Sequence, residues 1–138
     1  MIGILVITHG TLGESLIHAA SDVLNKRPPR LKQLGITAQD DPFNLLPQAR
    51  ALVTELDAGE GVLILSDMYG GSPANIAAKL IVPGKVEGVA GVNLPMLIRA
   101  LTYRDKPLQT VVTKAVSGGC DGVVRIPPLL VHDAATGS

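Results

Sequence analysis

Residues 62–75 read VLILSDMYGGSPAN, a sequence that combines a strand, a turn and the start of a helix. Residues 62–65 form a short, continuous apolar run, which is typical of a strand buried on both faces of a parallel sheet. The pair Gly70-Gly71 punctuates the turn, and Ser72-Pro73 supplies a favoured N-cap followed by a favoured first helical residue. The stretch therefore predicts a strand that ends in a loop and leads into a helix reaching about Ile81.

The same strand-then-helix pattern repeats along the chain. Apolar runs predict further strands at residues 2–7, 31–36 and 86–92, and a short final strand at residues 123–126. Helical spacing predicts helices at residues 12–24, 73–81 and 94–101, a helix from 42 to Gly59, and one from 108 to Gly118-Gly119. For the helix predicted from residue 42, Pro47 favours a start near Leu46 rather than at Pro42.

Composition limits the size and the class of the protein. The 138 residues predict one domain at residues 1–131, followed by a disordered tail at 132–138. Twelve basic and twelve acidic residues balance, and the aromatic residues are few, so we expect no nucleic-acid partner. The mean hydropathy of +0.34 is high for a soluble monomer, which indicates either a very apolar core or apolar surface covered by a partner subunit.

The chain also lacks the sequence signals of export and membrane insertion. No apolar run approaches the roughly 18 residues needed to span a bilayer, and the apolar start has no basic region before it. Cys120 is the single cysteine, which excludes an internal disulfide and a cysteine-based zinc site. We therefore expect a cytoplasmic protein with no direct membrane insertion.

Alternating strands and helices predict an α/β fold, with a doubly wound, mostly parallel sheet and helices on both of its faces. We expect the strand order 2-1-3-4, with the first and third strands adjacent at a switch point, plus the short C-terminal strand. Ligands in such sheets bind beyond the carboxyl ends of the strands at that point. Because His9 follows the first strand and Asp67 follows the third, the topology brings both to the start of the helix at Ser72-Pro73.

This grouping suits the transfer of a phosphoryl group. A helix N-terminus offers unpaired N–H groups and the positive end of a dipole, and Gly70-Gly71 allows close backbone approach. The His9 imidazole can attack a phosphoryl group, and Asp67 on one ring nitrogen would leave the other bare. Ser72 would cap the helix or donate to the phosphoryl oxygens. No Walker-type lysine loop is present, so direct use of a nucleotide is not expected, nor is any cofactor or metal ion.

Each of these residues also has a purely structural explanation. His9 could be a polar residue at a strand end, Asp67 a loop cap, Gly70-Gly71 a turn and Ser72-Pro73 a helix start. Taken singly, those explanations are better. The convergence of all four at one edge of the sheet favours function.

Other reactive side chains are expected to lie outside any site. His18 shares a helix face with Glu14 and Asp22, opposite the apolar stripe, and is expected to be solvated. His132 falls in the tail, and Cys120 is expected to be a turn thiol. The basic residues of the first helix–strand loop are also expected to be solvated: Lys26, Arg27, Arg30 and Lys32.

Three segments resemble the IIA component of the mannose/fructose/sorbose family of the bacterial phosphoenolpyruvate-dependent sugar phosphotransferase system. They are THG at residues 8–10, GVLILSDMYGGSPAN at residues 61–75 and GVNLPML at residues 91–97. The likeness extends from Ile2 to about Val124, nearly the whole chain. Tyr69 stands where that family has an aromatic residue two places after the aspartate.

The resemblance implies a mechanism. His9 matches the phosphorylated histidine, which takes a phosphoryl group on Nε2 from the histidine-containing phosphocarrier protein and passes it to a histidine of a IIB component. Asp67 matches the residue that orients the ring through Nδ1. The candidate phosphoryl-binding residues are Gly10, Gly70, Gly71 and Ser72.

The resemblance also implies an assembly. Family members are homodimers that exchange their C-terminal strand, here residues 123–126 and antiparallel. No IIB domain follows in the sequence, so we expect the chain to stand alone. The sugar is expected to be bound by the membrane permease rather than by this component.

Three other interpretations stay open at this point. The chain could be a regulatory phosphocarrier in an incomplete phosphotransferase system, with the same phosphohistidine but no sugar-specific acceptor. It could be the phosphocarrier subunit of a dihydroxyacetone kinase, which uses a similar fold. A metal-chelatase-like enzyme would need further metal ligands, and His18 and His132 are badly placed for that.

Overall fold

The computed structural model describes residues 1–129, which form a four-stranded parallel sheet with helices on both faces. The strands are β1 (Gly3–His9), β2 (Leu31–Ile36), β3 (Val62–Ser66) and β4 (Val86–Ala90). The helices are α1 (Leu12–Leu24), α2 (Pro42–Leu56), α3 (Ser72–Leu80), α4 (Leu94–Thr102) and α5 (Leu108–Asp121). The strand order is β2-β1-β3-β4, which confirms the predicted doubly wound arrangement.

The alternation of side chains along β1 determines which residues point to each face of the sheet. Val6 packs in the core that α1, α4 and α5 cover, whereas Ile7 packs in the core formed with α2 and α3. Successive side chains of a strand point to opposite faces. Thr8 therefore points towards α1, and His9 points towards the side of the sheet on which α3 begins.

A buried arginine closes the opposite, amino-terminal edge of the sheet. Arg104 is 5% exposed, and its guanidinium donates hydrogen bonds of 2.6–3.0 Å to the carbonyls of Ile2, Pro29 and Arg30. The Ile2 amide in turn donates to the Arg104 carbonyl. One side chain thereby ties the starts of β1 and β2 to the loop between α4 and α5.

The prediction that Gly118-Gly119 ends the last helix is wrong, because α5 continues to Asp121. A Cβ added at Gly118 would lie 2.8 Å from Arg99 Cβ, and one added at Gly119 would lie 2.6 Å from Met96 Cε. The two glycines thus allow α5 to pack closely against α4, and packing outweighs their low helix propensity.

Two helix starts also differ from the sequence predictions. Helix α2 begins at Pro42, not near Leu46, because the Asp41 side chain accepts a hydrogen bond from the Phe43 amide and fixes the first turn ahead of Pro47. Helix α3 begins one residue earlier than predicted, so that Gly71 is the N-cap and Ser72 is the first helical residue without a side-chain capping bond.

The predicted last strand does not form within this chain. Residues 123–129 have no regular secondary structure and pair with no strand of the sheet. Strand exchange between two copies therefore stays a prediction. The predicted tail at residues 132–138, including His132, lies outside the described residues. Within residues 1–129, no helix is both long enough and apolar enough to cross a membrane.

Candidate active site

The site lies where β1 and β3 end side by side. The two strands pair in parallel, with Ile7 opposite Ser66, so the next residues along each strand leave the sheet together. His9 is the last residue of β1, and Asp67 directly follows β3. The predicted meeting of these two residues at the switch point is what the structure shows.

One carboxylate oxygen of Asp67 holds both the ring and the backbone of His9. Asp67 Oδ2 lies 2.8 Å from His9 Nδ1 and 3.1 Å from the His9 backbone nitrogen. An ionised carboxylate can only accept hydrogen bonds. Nδ1 therefore carries the proton and donates the hydrogen bond to Asp67 Oδ2. This assigns the bare lone pair of the neutral ring to Nε2.

Exposure divides the pair into an open ring and a sheltered carboxylate. The His9 side chain is 50% exposed, whereas the Asp67 side chain is 11% exposed. Burial raises the pKa of the Asp67 carboxyl, but the hydrogen bonds from the His9 ring and amide, together with the charge that the ring carries when it is protonated, outweigh burial. The pKa of Asp67 therefore lies below its ordinary value, and the carboxylate stays ionised beside an accessible imidazole.

The Nε2 edge of the ring faces the amino end of α3. A Cβ placed on Gly71 would lie 3.5 Å from both His9 Cε1 and His9 Nε2. Gly71 has φ 87° and ψ 175°, a conformation that is essentially restricted to glycine. Pro73, in the first turn of α3, has no N–H, and the Ser72 and Ala74 amides have no partner within the helix, whereas the Asn75 amide donates to the Gly71 carbonyl. These amides and the helix dipole suit an anion next to Nε2.

Two further predicted residues shape the loops around the ring. Gly70 has φ 96°, which lets the chain turn sharply after Tyr69. Gly10 has φ 56°, and its amide donates a 2.8 Å hydrogen bond to the Ile36 carbonyl at the end of β2. The Gly10 amide is therefore engaged with the sheet, and its contribution to the site is the conformation of the loop.

Large apolar side chains stand exposed on the loops and helix starts at this edge of the sheet. Phe43 is 81% exposed and Tyr69 is 92% exposed, whereas Leu12 and Met68 are exposed by 44% and 55%. We call these four residues the apolar rim. Exposed apolar groups of this size around a polar centre are typical of a surface that meets another protein.

Other reactive residues lie away from this edge or are engaged in the fold. His18 is exposed on α1, as expected, and Cys120 is exposed within α5 rather than in a turn. Arg30 is not simply solvated, since its guanidinium donates to the Leu56 carbonyl at 2.7 Å. Lys32 pairs with Glu55. Among residues 1–129, no three His, Cys, Asp or Glu side chains come together as a metal site.

Sequence reasoning missed the contact made by Thr8, the residue directly before His9. Thr8 is fully buried, and its Oγ1 accepts a 2.8 Å hydrogen bond from the Gly13 amide in the first turn of α1. The alternation of β1 carried a signal for this contact. Thr8 lies two residues after Val6 and on the same face of the sheet, so a hydroxyl occupies a position where an apolar side chain is expected.

A doubly wound sheet that presents a carboxylate-held histidine beside a helix N-terminus agrees with the phosphotransferase-system family that the three sequence segments resemble. The chain belongs to the family described as "PTS system fructose IIA component", whose family model matches residues 3–116. The resemblance drawn from the three sequence segments is thereby confirmed.

Individual relatives agree with this membership. The chain is 33% identical over 137 residues to the "PTS system mannose-specific EIIAB component" of Escherichia coli strain K12, covering 97% of this chain and 42% of that protein. It is 28% identical over 111 residues to the "PTS system fructose-specific EIIA component" of Bacillus subtilis strain 168, covering 76% and 72%. The chain thus spans less than half the length of the first relative.

Solved structures show the same fold. The mannose/sorbose specific IIA subunit of the phosphotransferase system from Enterococcus faecalis superposes with a TM-score of 0.82 at 24% identity. The match covers 94% of this chain and 98% of that one. At this level of identity the likeness supports the fold alone.

Proposed function

We propose that the chain is a phosphocarrier in which His9 accepts a phosphoryl group from the histidine-containing phosphocarrier protein. It then passes that group to a histidine of a IIB component, for sugar uptake. The observation that carries this proposal is the His9 ring, whose Nδ1 is held by Asp67 while Nε2 faces Gly71 at the start of α3. Family membership supports the same assignment.

The transfer step follows from this geometry. The Nε2 lone pair of His9 attacks the phosphorus, a P–N bond forms, and the P–N bond of the donor breaks with its electron pair returning to the donor's ring nitrogen. The ring becomes positively charged as it takes up the group, and the ionised Asp67 stabilises that charge through Nδ1–H. Passing the group to the acceptor histidine reverses these steps.

The phosphoryl oxygens have a defined set of partners in this proposal. The Gly71 and Ser72 amides and the Ser72 hydroxyl donate hydrogen bonds, and the α3 dipole favours the negative charge. Gly70 and Gly10 contribute the tight turns that keep backbone atoms close to the ring. No cofactor or metal ion takes part in the step.

The openness of the site suits protein partners rather than a small-molecule substrate. The His9 side chain is half exposed, and the apolar rim lies on loops and helix starts at the same edge of the sheet, where another protein can cover it. We infer that the phosphocarrier protein and the IIB component dock here in turn. In this proposal the exchange takes place in the cytoplasm.

We also propose that the chain forms a homodimer by exchanging residues 123–126. Strand β4 is an edge of the sheet, and a cavity of about 200 Å³ opens between it and α3. Val124 and Ile126 are 70% and 90% exposed in the isolated chain. An antiparallel strand from a second copy would pair with β4 and bury these side chains over the cavity.

The test is phosphorylation in a defined mixture. The protein is incubated with phosphoenolpyruvate, enzyme I and the phosphocarrier protein, and its intact mass is measured. We expect a gain of one phosphoryl group, which His9→Ala abolishes and His18→Ala, a change of an exposed histidine on α1, leaves intact. Labelling that persists in His9→Ala contradicts the assignment.

Transfer onward separates transport from the alternatives. The phosphorylated protein is mixed with IIB components or with a dihydroxyacetone kinase, and loss of the label is followed. Transfer to a IIB component supports the proposal. Transfer to the kinase, or to no sugar-specific acceptor, favours the other phosphocarrier roles.

A further inference from the structure

The residue directly before the candidate phosphoryl acceptor carries a buried hydroxyl. Thr8 is fully buried, and its Oγ1 accepts a 2.8 Å hydrogen bond from the Gly13 amide. Thr8 belongs to β1 and Gly13 to the first turn of α1, so this bond joins the strand to the helix across the loop that follows His9.

The bond substitutes for an ordinary helix cap. Thr11 is the N-cap residue of α1, yet its side chain makes no capping hydrogen bond. The first turn is instead capped from outside by Thr8, which satisfies a helix amide that would otherwise lack a partner. The fit is close, because a Cβ added to Gly13 would lie 3.0 Å from Thr8 Oγ1 and 3.2 Å from Val6 Cγ1.

Three hydrogen bonds fix the end of β1, where His9 lies, and the loop that follows it. The Asp67 carboxylate holds the His9 backbone nitrogen, and the Ile36 carbonyl holds the Gly10 amide. The Thr8–Gly13 bond sets the distance between the end of β1 and the start of α1, and thereby where the loop must close. Loss of that bond lets α1 shift on β1, and His9 and Gly10 lie on the segment that absorbs the shift.

We propose that Thr8 is a positioning residue that keeps the His9 ring aligned with Asp67 and with Gly71 through its bond to α1. The inference rests on the proposed function of His9 for its effect on transfer. Its effect on the unphosphorylated ring does not depend on that function. Displacements of about 1 Å in a reacting group can cost roughly a hundredfold in rate.

The experiment compares Thr8→Val, which keeps the shape and removes the acceptor, with Thr8→Ser, which keeps the oxygen. Thr11→Val is the matched control, because Thr11 is a neighbouring threonine without a capping bond. For each variant, ring nitrogen NMR shifts report the tautomer of His9. Stopped-flow transfer from the phosphorylated carrier protein gives the maximal rate and the half-saturating concentration.

We expect Thr8→Val to lower the maximal rate by roughly ten- to a hundredfold with little change in half-saturating concentration, since the apolar rim is untouched. Its ring spectrum should show loss of the pure Nδ1–H form. Thr8→Ser should restore both readouts towards wild type, and Thr11→Val should leave both unchanged.

Wild-type rates and an unaltered ring spectrum in Thr8→Val overturn the inference. If that variant does not fold, Thr8→Ala takes its place, and failure of both to fold shows a folding role and likewise overturns it. If wild type is never labelled on His9, the proposed function fails. The ring spectrum of Thr8→Val still decides whether Thr8 positions the ring.

Discussion

Asp67 serves the fold and the chemistry with the same oxygen. It accepts from the His9 ring and from the His9 amide, so the carboxylate both sets the tautomer and pins the end of β1. A group with this double role couples the protonation of the site to the stability of the protein. That coupling can be measured without any partner protein.

We expect the folded state to lose stability at acid pH through Asp67. Its pKa is below the ordinary value in the folded protein, so its contribution is complete above the unfolded value of about 4 and is lost as pH falls through the lower, folded value. Chemical denaturation at a series of pH values should show this loss in wild type and much less of it in Asp67→Asn. Asp22→Asn, an exposed change on α1, should keep the wild-type profile; parallel profiles for wild type and Asp67→Asn contradict the prediction.

Position 71 requires glycine for two reasons: its backbone conformation has a positive φ, and a side chain there would occupy the space beside the His9 ring. Gly71→Ala places a methyl group 3.5 Å from His9 Nε2 and strains a backbone at φ 87°. We expect a loss of about 1–2 kcal/mol in stability together with a fall in phosphoryl transfer of at least tenfold. Gly84→Ala is the control, because it also places a side chain at a positive φ, 81°, with nothing within 4 Å of the added Cβ.

A loss of stability in both variants, with slow transfer only in Gly71→Ala, supports the proposed site. If both variants transfer at the wild-type rate, then the space beside Nε2 does not hold the phosphoryl group. The assay is the same transfer from the phosphorylated carrier protein, run at matched fractions of folded protein.

At the scale of the elements, the α4–α5 contact turns two apparent helix breakers into packing residues. Gly118→Ala raises helix propensity by up to about 1 kcal/mol but puts Cβ 2.8 Å from Arg99 Cβ, which cannot swing away. We expect a net loss of about 1–3 kcal/mol in the free energy of unfolding, measured by denaturant titration. At Gly119 the nearest atom is the flexible Met96 Cε, so Gly119→Ala should cost less. A stabilised Gly118→Ala contradicts close packing.

These glycines also mark the limit of what the sequence can predict. The apolar runs at β1 and β3 indicate burial on both faces, and together with the alternation of strands and helices they predict the parallel order and the meeting of His9 with Asp67. Gly118-Gly119 carries no local mark of a partner helix, so it was interpreted as a helix end. The Thr8–Gly13 bond was missed for the same reason, since it depends on how α1 docks on β1.

At the scale of the molecule, the side of the sheet where the strands begin and the side where they end have different roles. The amino-terminal edge is fastened by the buried Arg104 and its backbone carbonyl partners. The carboxyl edge carries the half-exposed His9 and the apolar rim. The amino-terminal side is thus rigidly fastened, and the side that carries His9 is the one at which we propose that partners dock.

The apolar surplus noted in the composition is only partly buried by this fold. Val124 and Ile126 are two residues apart, so in an exchanged strand their side chains point to the same face and cover the cavity between β4 and α3. We expect wild type to have the mass of a dimer in sedimentation equilibrium and the double variant Val124→Glu/Ile126→Glu to be monomeric. Val23→Glu, at a 61% exposed position on α1, should remain dimeric. Because His9 and Asp67 lie within one protomer, the monomeric variant should still be phosphorylated. Strand exchange is contradicted if wild type is monomeric at all concentrations, or if the double variant stays dimeric.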